Sequence, residues 1–199
     1  FLSLTSAHIN ATDALFANLG DVFLAHEQRF AVIEALANAS WVSDASENSA
    51  IVDDILSISA SVEQPVGVIE PLMSDIDALM AGDDLSVISD RLLAYDGENA
   101  WLQKARDGFA HGSKLAAAWI FRQLNESTHY SLQEVFDTEL RLGANIMRHP
   151  EFAEGVRALL VDKDRQPNWQ FGAVQDVPPD LLQSFFEEAD GAPKMYYPW

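Results

Sequence analysis

The sequence predicts a mainly α-helical fold. Apolar residues recur at helical spacing in one segment after another, residues that begin and end helices stand between these segments, and the alternation typical of strands is almost absent. Hydrophobic residues form 48% of the 199 residues, which is ordinary for a globular protein. We therefore expect residues 1–199 to form a single helical region, with at most one short strand near residues 21–24.

The first half of the chain contains five helical patterns. Polar residues 43–48 are predicted to be a loop, and Gly82 is placed to end the third helix in a left-handed conformation. In the first helix, Phe30, Ile33 and Leu36 fall on one face. The five predicted helices are 27–41, 50–58, 71–80, 84–95 and 101–109.

The second half is predicted from its capping residues. Ser113 is a suitable N-cap for a helix over 114–124. Ser131 and Glu134 have the spacing of a capping box, which opens the longest helix, 132–148. Pro150 suits the first turn of a further helix, which Pro167 is predicted to stop. A last helix is predicted from Val177-Pro178-Pro179 to about residue 188.

The charge of the chain is strongly negative and unevenly distributed. The formal net charge is −19, and no Lys or Arg lies between Arg29 and Arg91. This charge argues against nucleic acid as a partner, because phosphates require Lys and Arg. The basic residues of the later half favour binding of an anion there, whereas the acidic run is read as a solvated surface.

Several kinds of site are excluded by composition and spacing. The chain has no cysteine, which excludes disulfides, iron–sulfur clusters, thiolate zinc sites and cysteine nucleophiles. Gly-rich phosphate loops and Gly-x-Ser-x-Gly elbows are missing, and no two histidines have the spacing of a helical metal site. No stretch approaches the length of a membrane span, and no basic leader is visible. We therefore expect no metal, no membrane and a cytoplasmic location.

One segment carries a specific resemblance. Residues 152–169 read Phe-Ala-Glu-Gly-Val-Arg-Ala-Leu-Leu-Val-Asp-Lys-Asp-Arg-Gln-Pro-Asn-Trp. The run resembles the C-terminal signature of the 3-hydroxyisobutyryl-CoA hydrolases, a branch of the enoyl-CoA hydratase/isomerase (crotonase) superfamily. Residues 2–20 are similar to an earlier segment of that branch, although Ser6 and Asn18 replace usual glycines. From periodicity alone, Phe152, Val156, Leu160 and Trp169 are predicted to be core residues.

The resemblance implies a helical C-terminal region of a crotonase-like α/β fold. It implies an intact protein that hydrolyses an acyl-CoA thioester of valine breakdown, with coenzyme A as part of the substrate and no separate cofactor. The catalytic carboxylates and the oxyanion loop of the family precede the matched segments, so no residue of this chain is assigned a catalytic role. By the same resemblance, Lys163 is expected to contact the phosphates of CoA, with Arg165 and Arg157 adding positive charge. The structural alternative for Lys163 is a salt bridge at a helix end.

The resemblance leaves the parent protein open in several ways. The chain begins without methionine, so we expect a longer protein, and we expect the 199 residues to be inactive alone. Expected partners are the acyl-CoA substrate, the N-terminal half of the fold and a second copy of the chain. The alternatives are a hydratase or isomerase parent, a non-catalytic helical binding or assembly module, and a fragment produced by cleavage.

Overall fold

A computed structural model describes residues 1–59 and 63–188, and within them the chain forms helices and no strand. The predicted mainly helical class is confirmed. The α-helices are α1 Leu2–Thr5, α2 Ala11–Phe16, α3 Arg29–Asn38, α4 Ala45–Ser59, α5 Met73–Met80, α6 Leu85–Leu93, α7 Ala100–His111, α8 Lys114–Glu126, α9 Leu132–Ile146, α10 Pro150–Val156 and α11 Pro179–Ser184. Short 3₁₀ turns form at His26–Gln28, Glu70–Leu72, Ser127–His129 and Val174–Asp176, and a π-helical turn at Arg157–Val161.

The chain divides into two compact units. The first unit is Phe1–Ala7 with Ala78–Trp199, and the second is His8–Asp77. Helix α8 is central to the first unit, because it contributes side chains to two buried apolar clusters. One cluster is Leu4, Ile88, Leu92, Phe109, Ala117 and Val174, and the other is Leu115, Ala118, Leu142, Val177 and Phe185.

The corner between α7 and α8 is fixed by a buried lysine. Lys114 is 5% exposed, and its ammonium donates to the carbonyl oxygens of Phe109, Ala110 and Gly112 at 2.6, 3.0 and 3.0 Å. Phe109 and Ala110 lie in the last turn of α7, whose final four carbonyls have no partner within the helix, and Gly112 is its C-cap residue. Burial lowers the pKa of the Lys114 ammonium from its ordinary value. The lysine thereby fixes the position of the residues between the two helices.

The second unit is closed by one buried carboxylate. Asp13 is 1% exposed and accepts hydrogen bonds from the backbone N–H groups of Asn10, Val68 and Ile69, at 3.1, 2.6 and 2.9 Å. Burial raises the pKa of Asp13, but the N–H groups of Ile69, Asn10 and Val68 outweigh it and hold the pKa below its ordinary value. Asp13 therefore fastens residues 68–69 to the start of α2.

Most predicted helix starts are confirmed by their caps. Ser113 accepts from the N–H of Ala116 at 2.9 Å, and Ser131 and Glu134 form the predicted capping box. Gly82 is left-handed as predicted, with φ 93°, and Ser6 and Asn18, which stand where the related branch has glycines, have φ values of 52° and 53°. Local patterns thus sufficed wherever the deciding contact lay within one turn.

Several boundaries differ from the predictions. Helix α4 begins within the predicted loop 43–48, because the Asp44 carboxylate accepts from the N–H groups of Ser46 and Glu47, at 2.8 and 3.0 Å, and so caps the helix. Helix α3 ends at Asn38 and α11 at Ser184, both earlier than predicted. Residues 21–24 form an irregular connector and no strand.

Candidate anion site beside an apolar cleft

The first unit contains a cleft of about 660 Å³. Its walls come from α8, the end of α9, α10 and the π-helical turn that follows α10. The lining is mainly apolar and includes Leu115, Trp119, Ile146, Phe152, Leu159 and Leu160. Arg165 also lines the cleft, as do His111 and Glu151. Mainly apolar walls with a few polar and charged residues are typical of a small-molecule site.

Helix α10 presents its large apolar residues to this cleft. Phe152 and Leu160 are 42% and 62% exposed, so their prediction as core residues was wrong, while Val156 and Trp169 are half-buried. The buried positions of the segment are Glu151 and Ala158. A helix with small residues on one side can approach its support closely, and its larger residues then face outward. The rule that apolar periodicity marks the core therefore failed here.

Gly155 and Trp169 show how close that approach is. A Cβ atom added to Gly155 would lie 3.2 Å from Cη2 of Trp169. The indole of Trp169 donates from Nε1 to the carbonyl oxygen of His111 at 2.8 Å. This hydrogen bond connects Trp169 to the end of α7. The glycine and the tryptophan of the signature are therefore packing partners.

Glu151 is a buried acid that the sequence reasoning missed. It is 8% exposed, its Oε2 accepts from the Ser113 hydroxyl at 2.5 Å, and its Oε1 accepts from the N–H of Gln170 at 2.8 Å. The Ser113 oxygen also accepts the capping bond of α8. Glu151 thus joins the starts of α8 and α10 to residue 170. Its only signal in the sequence was an acid in a first helical turn, which predicts a favourable dipole contact and not burial.

The guanidinium of Arg157 uses all five of its N–H donors within the segment. Nε and Nη2 bind the two oxygens of Glu154 at 2.9 and 2.8 Å. Nη1 binds Asp162 and Asp164 at 2.7 and 2.6 Å. The remaining Nη2 donor binds the carbonyl oxygen of Gln166 at 3.0 Å. A guanidinium in this arrangement has no donor left for a further ligand.

Arg157, Glu154 and Asp164 shift one another's pKa values. The side chain of Arg157 is the largest cause that lowers the pKa of Glu154 to about 2, and the N–H of Asn168, 2.6 Å from Oε1, adds to it. The hydrogen bond from Arg157 also lowers the pKa of Asp164, and the hydrogen bonds that Arg157 donates to Glu154, Asp164 and Asp162 raise its own pKa. Glu154, Asp164 and Arg157 are therefore charged at neutral pH.

The helical segment ends at Val161, before Pro167. Asp162, Asp164 and Gln166 bind the side chain of Arg157 instead of continuing the helix. The N–H of Asp162 donates to the carbonyl oxygen of Arg157 at 2.8 Å, which is a π-helical bond, and the next residue turns left-handed. Lys163 and Arg165 have φ values of 58° and 55°. A left-handed non-glycine residue costs roughly 1–2 kcal/mol, so the surrounding contacts must hold both residues there.

Acids and cations alternate at residues 162–165, and the structure gives the two kinds of side chain different environments. The acids Asp162 and Asp164 turn to Arg157, and the cations Lys163 and Arg165 alternate with them. Lys163 and Arg165 are exposed, and none of the described residues forms an ion pair with the Lys163 ammonium. The backbone of Arg165 is fixed, since its N–H binds Ala158 at 3.0 Å and its carbonyl oxygen lies 2.8 Å from Nε2 of His111.

The three predicted CoA-binding residues thus have different environments in the structure. Lys163 and Arg165 lie on one short loop and are exposed, and Arg165 is among the residues that line the cleft. Arg157 lies behind that loop with its donors occupied. In residues 1–59 and 63–188, no three acidic or histidine side chains are grouped to hold a metal ion. Within the same ranges, no helix has the length and apolarity that a membrane crossing requires.

The fold and the site define the class to which the chain belongs. Helices α1 to α11 and the loop 162–168 form a helical region of the crotonase type, as comparison with solved structures shows. The family model described as enoyl-CoA hydratase/isomerase matches residues 1–186. The chain belongs to the enoyl-CoA hydratase/isomerase family.

Individual relatives place the chain more closely. It is 29% identical over 187 residues to the mitochondrial 3-hydroxyisobutyryl-CoA hydrolase of Xenopus laevis, covering 94% of this chain and 48% of that protein. An enoyl-CoA hydratase from Rhodobacter sphaeroides superposes with a TM-score of 0.71 at 27% identity, covering 94% of this chain and 50% of the other. A carnitinyl-CoA dehydratase from Mycobacterium thermoresistibile shares the fold, with a TM-score of 0.75 at 23% identity over 95% of this chain and 51% of the other. The chain spans about half the length of the curated relatives it matches.

Proposed function

We propose that the chain is part of an acyl-CoA thioester hydrolase that acts on 3-hydroxyisobutyryl-CoA or a close analogue. The observation that carries the proposal is the loop 162–168, where the signature residues are held by Arg157 beside an apolar cleft. An acyl-CoA has the matching chemistry, with phosphates at one end and an apolar pantetheine and acyl chain at the other. The hydrolases named among the relatives support this branch over others.

The role we propose for these residues is to bind CoA. Lys163 and Arg165 bind its phosphates, because both are exposed cations on the loop that Arg157 contacts. The apolar wall of Phe152, Leu159 and Leu160 binds the less polar part of the molecule. Coenzyme A enters as part of the substrate, and no separate cofactor is proposed. The groups that attack the thioester are proposed to lie in the remaining half of the protein.

The release of CoA thiol from 3-hydroxyisobutyryl-CoA tests this proposal. The assay compares the 199-residue chain with the longest product of the same reading frame. The chain contains no cysteine and adds no thiol background. We expect the longer product to release thiol and the 199 residues alone to release none. Turnover by the 199 residues alone would contradict the assignment of the catalytic groups, and silence from both would contradict the hydrolase assignment.

A hydratase is the second candidate, favoured by the likeness to the Rhodobacter sphaeroides enoyl-CoA hydratase. Hydration of an enoyl-CoA consumes the conjugated double bond and leaves the thioester intact. The same two samples should therefore be incubated with crotonyl-CoA while the absorbance of the conjugated thioester is followed. Loss of that absorbance without thiol release would replace the hydrolase proposal with the hydratase.

The cellular setting is also a proposal. We place the protein in valine degradation, because 3-hydroxyisobutyryl-CoA is the substrate named for its relatives. We propose the cytoplasm as its location, against the mitochondrial location in the names of the animal relatives. Fractionation of cells that carry a tag on the full reading frame decides between the two compartments. Light scattering of the same product tests the proposed contact with a second copy.

A further inference from the structure

Arg157 and its acidic partners form a hydrogen-bonded network beside the cations Lys163 and Arg165. Its five hydrogen bonds reach Glu154, Asp162, Asp164 and the carbonyl oxygen of Gln166. Because an arginine has five N–H donors, none remains for an anionic ligand. We infer that Arg157 is a positioning residue that holds Lys163 and Arg165 in a ligand-ready loop and does not itself touch the ligand.

The strained backbone supports this role. Two residues of the loop, both cations, are left-handed, with φ 58° at Lys163 and 55° at Arg165. Asp164, between them, is fixed twice, by Arg157 at 2.6 Å through Oδ2 and by the N–H of Gln166 at 2.9 Å through Oδ1. Strained positions persist only where neighbouring contacts determine them, and they are frequent at ligand sites.

The same network assigns an unusual role to the acids. Asp162 and Asp164 adjoin the two cations, and an acid near an anion site normally weakens binding by repulsion. Here each acid also holds the loop through Arg157 at 2.7 and 2.6 Å. We expect the loss of the loop geometry to outweigh the relief of repulsion. Removing the negative charge of Asp164 should therefore weaken anion binding, which is the opposite of the simple electrostatic result.

The test is calorimetric titration of the 199-residue chain with adenosine 3′,5′-bisphosphate, the anionic nucleotide of CoA. This inference rests on the proposed function, so the Lys163→Gln/Arg165→Gln variant is measured first. A fall of at least about tenfold supports the phosphate assignment, since two charged contacts are lost. No binding by the wild-type chain, or an unchanged affinity in this variant, overturns the CoA assignment itself.

Asp164→Asn then tests the positioning role, with Asp180→Asn as the control for charge. Asp180 is an exposed acid of α11, so its variant has the same change of charge without the loop contact. We expect Asp164→Asn to weaken binding about fivefold and Asp180→Asn to leave it nearly unchanged. Tighter or unchanged binding by Asp164→Asn, with normal binding by the wild type, overturns the inference.

Arg157→Gln completes a double-mutant cycle with Asp164→Asn. A positioning role predicts that each variant weakens binding to a similar extent and that the double variant is no weaker than either. Direct contact between Arg157 and the phosphate predicts opposite signs and additive effects, which would overturn the inference. Amide exchange without ligand gives a readout that does not depend on binding. We expect faster exchange at Gln166 and Asn168 in both variants, and unchanged exchange would also contradict it.

Discussion

Asp13 and Arg157 each fasten a loop to a helix, but they do so under opposite conditions. Asp13 is 1% exposed and binds backbone N–H groups 55 and 56 residues away. The side chain of Arg157 is 33% exposed, and its partners lie within nine residues. Buried hydrogen bonds over a long separation contribute to the stability of a whole unit, whereas an exposed ionic network fixes local shape at modest gain. The comparison predicts large effects on unfolding at Asp13 and mainly local effects at Arg157.

Asp13→Ala should cause the largest loss of stability. It leaves the N–H groups of half-buried Val68 and buried Ile69 without an acceptor, and we expect a loss of about 3 kcal/mol in the free energy of unfolding. Asp13→Asn keeps one acceptor oxygen and should lose about half of that. Urea unfolding followed by circular dichroism measures both, with the exposed Asp21→Asn as a control expected within about 0.5 kcal/mol. Equal values for Asp13→Ala and the control would contradict the role of Asp13.

The pH dependence of this contribution has a definite sign. The pKa of Asp13 is lower in the folded chain than its ordinary value, so folding favours its ionised form. The contribution of Asp13 is complete above the unfolded pKa of about 3.9 and is lost as the pH falls through the folded pKa. The Asp13→Asn variant should therefore differ most from wild type near neutral pH and converge with it in acid.

Trp169→Ala should follow, with an expected loss of about 2 kcal/mol. The half-buried indole packs against Gly155 and donates to the carbonyl oxygen of His111 at 2.8 Å. Trp169→Phe keeps the ring and removes the donor, so it should lose about 1 kcal/mol. Thermal unfolding of the three proteins gives the order, and a phenylalanine variant as unstable as the alanine variant would show that the hydrogen bond, not the packing, dominates.

Glu151→Gln should lose about 1 kcal/mol, because Gln keeps one acceptor for the N–H of Gln170 but not the charge that binds the Ser113 hydroxyl. Ser113→Ala should cost a similar amount, since it also removes the N-cap of α8. If the contact is shared, the double variant should lose less than the sum of the single losses. Strict additivity would place the two side chains in separate contacts.

Leu160→Asn should have the smallest effect on stability, within about 0.5 kcal/mol, because the leucine is 62% exposed. It should nevertheless reduce binding of a fluorescent apolar dye, since Leu160 lines the cleft. Ala158→Asn is the matched comparison, because Ala158 is 2% exposed two positions earlier. A loss at Leu160 as large as that at Ala158 would mean that the helix faces the other way.

The sequence was sufficient for contacts within a turn or two. The caps Ser113 and Ser131, the left-handed Asn18 and the family signature were all readable, because each depends on residues only a few positions apart. The link from Asp13 to Val68 was not, since nothing in a periodic pattern specifies a partner 55 residues away. The orientation of α10 was predicted wrongly because periodicity identifies an apolar face and does not say whether another element covers it.

The candidate site could be predicted only in part from the sequence. Acids and cations alternate at residues 162–165, and the resemblance pointed to Lys163. The sequence did not reveal that all five N–H donors of Arg157 are occupied. Their occupation depends on the π-helical turn and on two left-handed residues that no propensity predicts. The unused signal was that the three acids that bind Arg157 all lie within seven residues of it.

The central claim is that the loop after α10 forms a CoA-binding edge of the first unit. Its most direct test is a titration of the isotope-labelled 199-residue chain with CoA, followed by backbone amide NMR. We expect saturable shifts at residues 158–166 and in the wall of the cleft, and unchanged signals from residues 8–77. Absence of shifts, or shifts concentrated in residues 8–77, would contradict the account.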